Sequence, residues 1–155
     1  MTEKEAMQKL MALCSRKEYS TGEIKTKLEE WEVQEDLAAK VVATLIAEKF
    51  IDDNRYASAF INDKLKFSKW GKIKIQYSLR QKGVADELIN EKLAETDKET
   101  YLGLLVEELR KKRKSIKAPS DYELKGKLIQ FATGRGFEFD VAAKAAEVVM
   151  KSNFK

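Results

Sequence analysis

The sequence contains no histidine, and its 155 residues include one cysteine (Cys14) and one proline. Each scarcity removes a class of function. Without histidine there is no serine-histidine or cysteine-histidine nucleophile, no imidazole general base and no histidine-bearing zinc site. With one cysteine there is no internal disulfide, all-cysteine zinc site or iron-sulfur cluster. Cys14 stands at helical spacing from Leu10 and reads as a small core residue rather than a reactive thiol. One proline and seven glycines leave few breakers over this length, so long helices are expected in place of a β design with its many turns. No apolar run reaches the length of a membrane span, and the opening MTEKEAMQKL is charged and periodic where a signal peptide needs an apolar stretch. The expectation is a cytoplasmic protein. There is no G-x-x-x-x-G-K-[ST] phosphate loop, and the one G-x-G, Gly134-Arg135-Gly136, lacks a third glycine and a preceding strand. No enzymatic activity, cofactor or metal is expected.

What the chain has in quantity is charge and hydrophobicity together, 36% and 43% of residues. That balance belongs to one folded domain or a short array of small units, far from disordered composition. Within it, FIDDNRYASAFINDKL at residues 50–65 sets Asp52 and Asp53 ahead of an apolar rhythm. A catalytic or metal-binding carboxylate pair is one reading. Magnesium would want further carboxylates close by, and the next, Asp63, falls roughly 15 Å further along a helix axis. The other reading is a helix start: Asp52 caps free N–H groups, Asp53 favours the positive end of the dipole, and Ile51 and Tyr56 occupy the two positions of a hydrophobic staple. Ala57, Phe60, Ile61 and Leu65 then follow the spacing of a buried stripe, and capping is the expectation.

Three stretches repeat: STGEIKTKLEEWEVQEDLAAKV from Ser20, GKIKIQYSLRQKGVADELINEKL from Gly71 and LKGKLIQFATGRGFEFDVAAKAA from Leu124. Aligned on those first residues, they place Ile24, Ile75 and Leu128 in one column, then Leu28, Leu79 and Ala132, then Val33, Val84 and Phe137, then Leu37, Leu88 and Val141. Lys82-Gly83 and Arg135-Gly136 coincide just before the third column, glycines where one helix stops before the next. The first copy has Trp31-Glu32 there, so a strained or longer helix end is expected. Further helical segments, at residues 4–16, 53–67 and 98–115, precede the copies. Ile73, Ile75, Tyr77 and Leu79 alternate as in a strand, but the repeat register favours a helix with Ile75 and Leu79 inward. The expected fold is all-α, an elongated array of three tandem three-helix, helix-turn-helix-like repeats at residues 1–49, 50–97 and 98–155.

FIDDNRYASAF, followed by Gly71, Leu79 and Lys82-Gly83-Val84, resembles the signature of the RecX family, bacterial regulators of the RecA recombinase. ALCSRKEYSTGEIKTKL at residues 12–28 and GRGFEFD at 134–140 resemble the family's flanking copies; Glu32 is a departure where a glycine would fit. The resemblance implies an inhibitory protein that binds the RecA-DNA filament in its helical groove and restrains ATP hydrolysis, strand exchange and coprotease activity. Asp52, Asp53, Arg55, Tyr56, Gly83 and Gly136 are then structural residues.

Charge is banded along the chain. Residues 64–84 carry Lys64, Lys66, Lys69, Lys72, Lys74, Arg80 and Lys82 with no acid, and residues 110–117 carry Arg110, Lys111, Lys112, Arg113, Lys114 and Lys117, again with none. Acids concentrate in residues 18–36 and 86–99. Basic side chains displace counterions from single- or double-stranded DNA, and mixed charge sets register on a protein surface. A solvated lysine-rich face is the plain alternative, and part of the second cluster complements a helix C-terminus. Trp70 is either a core plug or a stacking surface. The other functional class is a sequence-independent DNA-binding protein: the helices lack the Arg, Asn and Gln cluster needed for base readout. A monomer is expected.

Overall fold

The computed structural model describes residues 1–151. Among them are nine α-helices and no strand: α1 (Glu3–Cys14), α2 (Thr21–Glu30), α3 (Glu35–Ala47), α4 (Asp53–Asp63), α5 (Lys72–Gln81), α6 (Asp86–Ala94), α7 (Lys98–Arg113), α8 (Asp121–Gly134) and α9 (Phe139–Lys151). Short polar side chains start several of them. Thr2 and Ser20 form capping boxes with Glu5 and Glu23, and Asp97 and Ser120 accept from the third backbone N–H of α7 and α8. Asp52 caps α4: its Oδ1 accepts from the Arg55 N–H at 3.2 Å and its carbonyl from the Tyr56 N–H at 2.9 Å.

The second helix of each repeat ends in the same way. The N–H groups of Val33, Val84 and Phe137 donate to the carbonyls of Leu28, Leu79 and Ala132 at 3.0, 3.1 and 3.1 Å. That closure needs a left-handed residue one position earlier, and it is Gly83 (φ 78°), Gly136 (φ 94°) or, in the first repeat, Glu32 (φ 55°). The departure at Glu32 therefore keeps the turn and accepts the left-handed strain of a residue with a Cβ, about 1 kcal/mol.

The first two apolar columns are core positions in all three copies. Ile24, Ile75 and Leu128 are fully buried, as are Leu28, Leu79 and Ala132. Leu37, Leu88 and Val141 are half-buried in all three copies. On α5, Ile75 and Leu79 point inward while Ile73 and Tyr77 are exposed, so the period-two pattern there belongs to a helix. The segment after α4 departs from a simple helix. Lys64–Ser68 forms a π-helical turn, closed by Lys69 in the left-handed region (φ 58°) with the Trp70 N–H donating to the Lys64 carbonyl. Leu65 stays buried and Phe67 is 77% exposed.

The described residues form two compact units. The first takes Met1–Phe60 and Leu79–Ile89, the second Ile61–Ser78 and the chain from Asn90 onward. In the first, Ala6, Leu10, Ile24, Leu28, Val41, Leu45 and Ile51 make one core cluster, against which half-buried Cys14 packs. Burial pushes the Cys14 thiol pKa up, the direction of an unreactive thiol. In the second, α9 packs on α7 and α8 through Ala142, Ala145 and Ala146, whose small side chains permit close approach.

Candidate functional site

The two aspartates do separate work. Asp52 caps its own helix, whereas Asp53 Oδ1 accepts from the Thr21 N–H at 2.8 Å, holding the first residue of α2. Burial raises the Tyr56 pKa, and the neighbouring Glu23 carboxylate raises it further. Arg55 Nε reaches both Glu18 carboxylate oxygens at 3.0 and 2.9 Å, and its Nη2 reaches the Lys49 and Phe50 carbonyls at 3.3 and 3.4 Å. Asp53, Arg55 and Tyr56 thus tie the opening of α4 to the segment that starts α2. The sequence pattern identified a helix start but carried no signal of these partners more than thirty residues away.

A second contact completes this junction. Ser20, fully buried, donates from Oγ to the Lys82 carbonyl at 2.6 Å and accepts from the Glu23 N–H at 3.1 Å. A Cβ on Gly22 would strike the Lys82 carbonyl and the Gly83 Cα. The second unit holds a corresponding junction. The Gly71 and Ile73 N–H groups donate to the Arg135 and Gly136 carbonyls at 2.8 and 3.0 Å, and the Tyr101 hydroxyl accepts from the Lys72 N–H at 2.8 Å while donating to Glu138 at 2.6 Å. Burial and the Glu138 acceptor raise the Tyr101 pKa.

The basic residues divide between the units. In the first, Arg80 Nε lies 2.7 Å from Asp86, and Lys82 Nζ lies 3.7 Å from Glu23 and over the Phe60 ring. Both charges are partly answered locally. In the second, the Nζ groups of Lys64 and Lys74 stand over the Trp70 ring at 4.8 and 4.5 Å, Lys64 also lies 3.7 Å from Asp63, and Lys72 stands over Tyr101 at 4.7 Å. Trp70 is half-buried. Lys66 is exposed and Lys69 half-buried at the left-handed turn.

The cluster at 110–117 is also mixed. Arg113 Nη1 donates to the Val149 carbonyl at 2.8 Å and Lys112 lies over the Phe131 ring at 5.0 Å, whereas Arg110, Lys111, Lys114 and Lys117 are exposed. Arg135 joins the two basic stretches. Its guanidinium stacks over the same Phe131 ring at 4.8 Å and donates to the Ser68 carbonyl at 3.2 Å, beside Lys69 and exposed Phe67. Stacking of this kind contributes about 0.5–1 kcal/mol per pair at exposed sites and holds the cations in a fixed array. In the sequence Arg135 is marked only by its place beside the Gly136 turn. The outcome is a basic and aromatic surface suited to phosphate and base faces.

The sequence matches family models described as RecX, first, second and third three-helix domain, over residues 6–45, 52–93 and 99–145. The chain belongs to the RecX family. It is 33% identical over 135 residues to the regulatory protein RecX of Clostridium acetobutylicum, covering 84% of this chain and 62% of that one. Against the regulatory protein RecX of Acinetobacter baylyi it is 31% identical over 136 residues, 86% of this chain and 81% of the relative. The crystal structure of RecX from Lactobacillus salivarius aligns with a TM-score of 0.86 at 19% identity over 95% of this chain and 96% of that one, a likeness of fold. The architecture is thus the all-α tandem three-helix design of RecX, and the chain spans 62% of the length of its clostridial relative. The Asp53, Arg55 and Tyr56 tie lies at the opening of the second RecX domain. Among the described residues no helix is long and apolar enough to cross a membrane.

Proposed function

We propose that this chain is a regulator that binds the RecA filament on DNA and restrains its ATP hydrolysis, strand exchange and coprotease activity. It acts in the cytoplasm as a monomer without chemistry of its own, and residues 1–49, 50–97 and 98–155 are its three repeats. DNA phosphates are taken by the outward cations of the second unit, Lys66, Lys69, Lys74, Arg110, Lys111, Lys114 and Lys117, while Lys64, Lys72, Lys112 and Arg113 mainly order that surface. Arg80 and Lys82, answered by Asp86 and Glu23, contribute least.

The observation that carries this reading is Arg135 over Phe131 and bonded to Ser68, which draws two basic stretches distant in sequence into one neighbourhood. Like charges gathered at this density repel one another without an anionic partner. Exposed Phe67 and Tyr77 add aromatic faces in the same unit, and contact with phosphate and base faces needs no particular base sequence.

The test is RecA ATP hydrolysis on single-stranded DNA with this protein titrated up to stoichiometric amounts. Wild type is expected to inhibit, and Arg110→Ala/Lys111→Ala/Lys114→Ala/Lys117→Ala to need roughly tenfold more protein, with the salt dependence of DNA binding shallower by about 0.7 for each phosphate no longer neutralised. Lys112 and Arg113 are left intact because of their internal partners. Unchanged inhibition removes the cluster from the interface. Absence of inhibition by wild type, with salt-sensitive binding to bare DNA, moves the function to sequence-independent DNA binding.

A further inference from the structure

The groove between α2 and α3 in the first unit, ≈ 580 Å³, has an apolar floor of Val33, Ala38 and Val42 and is lined also by two carboxylates, Glu29 and Glu35, against one cation, Lys25. The second repeat shows what closes such a crevice. There Arg80 Nε ion-pairs with Asp86 at 2.7 Å, and Gln76 Nε2 donates to Asn90 Oδ1 at 2.9 Å, each bond crossing from α5 to α6. In the repeat register Glu29 stands where Arg80 does, Glu35 where Asp86 does, Lys25 where Gln76 does and Ala39 where Asn90 does. The first repeat therefore has neither cross-link. It keeps the acid and puts a second acid in the place of the arginine. Among the described residues neither Glu29 nor Glu35 is in an ion pair, so the groove lacks the guanidinium that its counterpart supplies from within.

We propose that this groove docks a segment of a partner protein that presents an arginine beside a leucine-sized aliphatic side chain. The guanidinium sits between Glu29 and Glu35, and the aliphatic group lies on Val33, Ala38 and Val42. Nucleic acid is disfavoured there because Glu30, Glu32 and Asp36 add to the negative potential around the same helix ends. A guanidinium fits two carboxylates better than an ammonium does, since its planar fork donates in two directions. The inference rests on the filament-binding function above, which makes the partner a recombinase subunit. It assigns the first unit to protein and the second to phosphate.

The test writes the second repeat's cross-links into the first. Lys25→Gln/Glu29→Arg/Ala39→Asn fills the groove with the chain's own side chains and removes no buried group. Glu29→Lys, at an exposed position in the last turn of α2 where a cation suits the helix dipole, is the second variant. Affinity for RecA filaments on single-stranded DNA, affinity for bare single-stranded DNA, sedimentation and Tm are measured for each. The expected result is at least a tenfold loss of filament affinity for the triple variant and about fivefold for Glu29→Lys, with bare-DNA binding no weaker and Tm not lowered. Filament affinity unchanged in both variants overturns the groove assignment while leaving the filament reading intact. Failure of wild type to bind filaments overturns both, and is seen in the wild-type arm alone. A wild-type dimer that the triple variant converts to monomer replaces the occupant with a second copy of this chain and overturns the proposal.

Discussion

The junctions in the two units solve the same problem with different chemistry. A helix start presents free N–H groups, and pressing it against a neighbouring turn removes the water that would satisfy them. In the first unit side chains supply most of the bonds: Ser20 Oγ reaches the Lys82 carbonyl, Asp53 takes the Thr21 N–H and Arg55 reaches Glu18. In the second unit the backbone does more: Gly71 and Ile73 donate to the Arg135 and Gly136 carbonyls, and the Tyr101 hydroxyl takes the Lys72 N–H. Ser20 and Gly71 share a register position, as do Lys82 and Arg135. One hydroxyl therefore does in the first unit what one backbone N–H does in the second. The repeated feature is the set of groups that must be bonded at that place, and different residue types meet it.

The comparison breaks most severely at Gly71. A Cβ there would collide with the backbone of Gly136 and Phe137, atoms that cannot rotate away. Gly71→Ala is expected to cost about 3 kcal/mol or more in urea unfolding. Gly103→Ala is the control: its Cβ meets nothing within 4 Å, so the same substitution in α7 is expected to stabilise by about 0.5–1 kcal/mol. A small effect at Gly71 would mean that the second junction is looser than its hydrogen bonds require.

Ser20→Ala attacks the hydroxyl that stands in for that backbone bond. It removes a cap and leaves the half-buried Lys82 carbonyl without its donor, and the expected cost is about 2 kcal/mol. Asp52→Ala removes a cap alone, so about 1 kcal/mol is expected in the same measurement. Equal losses from the two would show that the Ser20–Lys82 bond adds nothing to the junction.

Tyr101 sharpens the comparison through pH. Its ordinary pKa of 10.0 is raised in the fold, first by burial and then by its hydrogen bond to Glu138. Above that ordinary value the unfolded chain releases the phenol proton while the folded chain retains it, so the tyrosine's contribution is complete below about pH 10 and is lost as pH rises further. Tyr101→Phe is expected to cost about 1–2 kcal/mol near neutrality, because the Lys72 N–H and Glu138 lose a shared partner. Its stability should also fall less than wild type's between about pH 9 and about pH 11. Parallel curves for the two proteins would place the alkaline loss elsewhere.

The parts of this structure that were legible in the sequence are those governed by local period and local capping. Ile24, Ile75 and Leu128 could be put in one buried column because a helix returns to the same face every three or four residues, and Asp52 could be placed because a cap acts within one turn. The rest depends on contacts between distant segments. Asp53 with Thr21, Arg55 with Glu18, and Arg135 with Ser68 are pairings that no periodicity encodes. The π turn at Lys64–Ser68 escaped because one extra residue in a turn leaves the apolar spacing up to Leu65 unchanged. Of the candidate interface, the sequence displayed the two basic stretches but not the Phe131 and Arg135 bridge between them, nor which lysines have internal partners.

The smallest expected effect, at Glu32, separates two demands that glycine meets together at the other turns. Glu32, Gly83 and Gly136 are all left-handed and share a register position. Gly83 lies against Gly22, with its own would-be Cβ 2.7 Å from the Gly22 Cα, and a Cβ on Gly136 would strike Lys74. Glu32 is exposed, and among the described residues no helix start donates to its carbonyl or to that of Trp31. The first turn thus needs the backbone angle without the close approach. Glu32→Gly relieves about 1 kcal/mol of left-handed strain and adds freedom to the unfolded chain, for a net gain of about 0.5 kcal/mol. Gly83→Ala violates both demands and is expected to lose about 2–3 kcal/mol, the excess over the left-handed strain being the cost of separating α2 from the turn. If Gly83→Ala costs only about 1 kcal/mol, backbone angle alone selects these glycines and the approach of Gly22 can be opened at little cost.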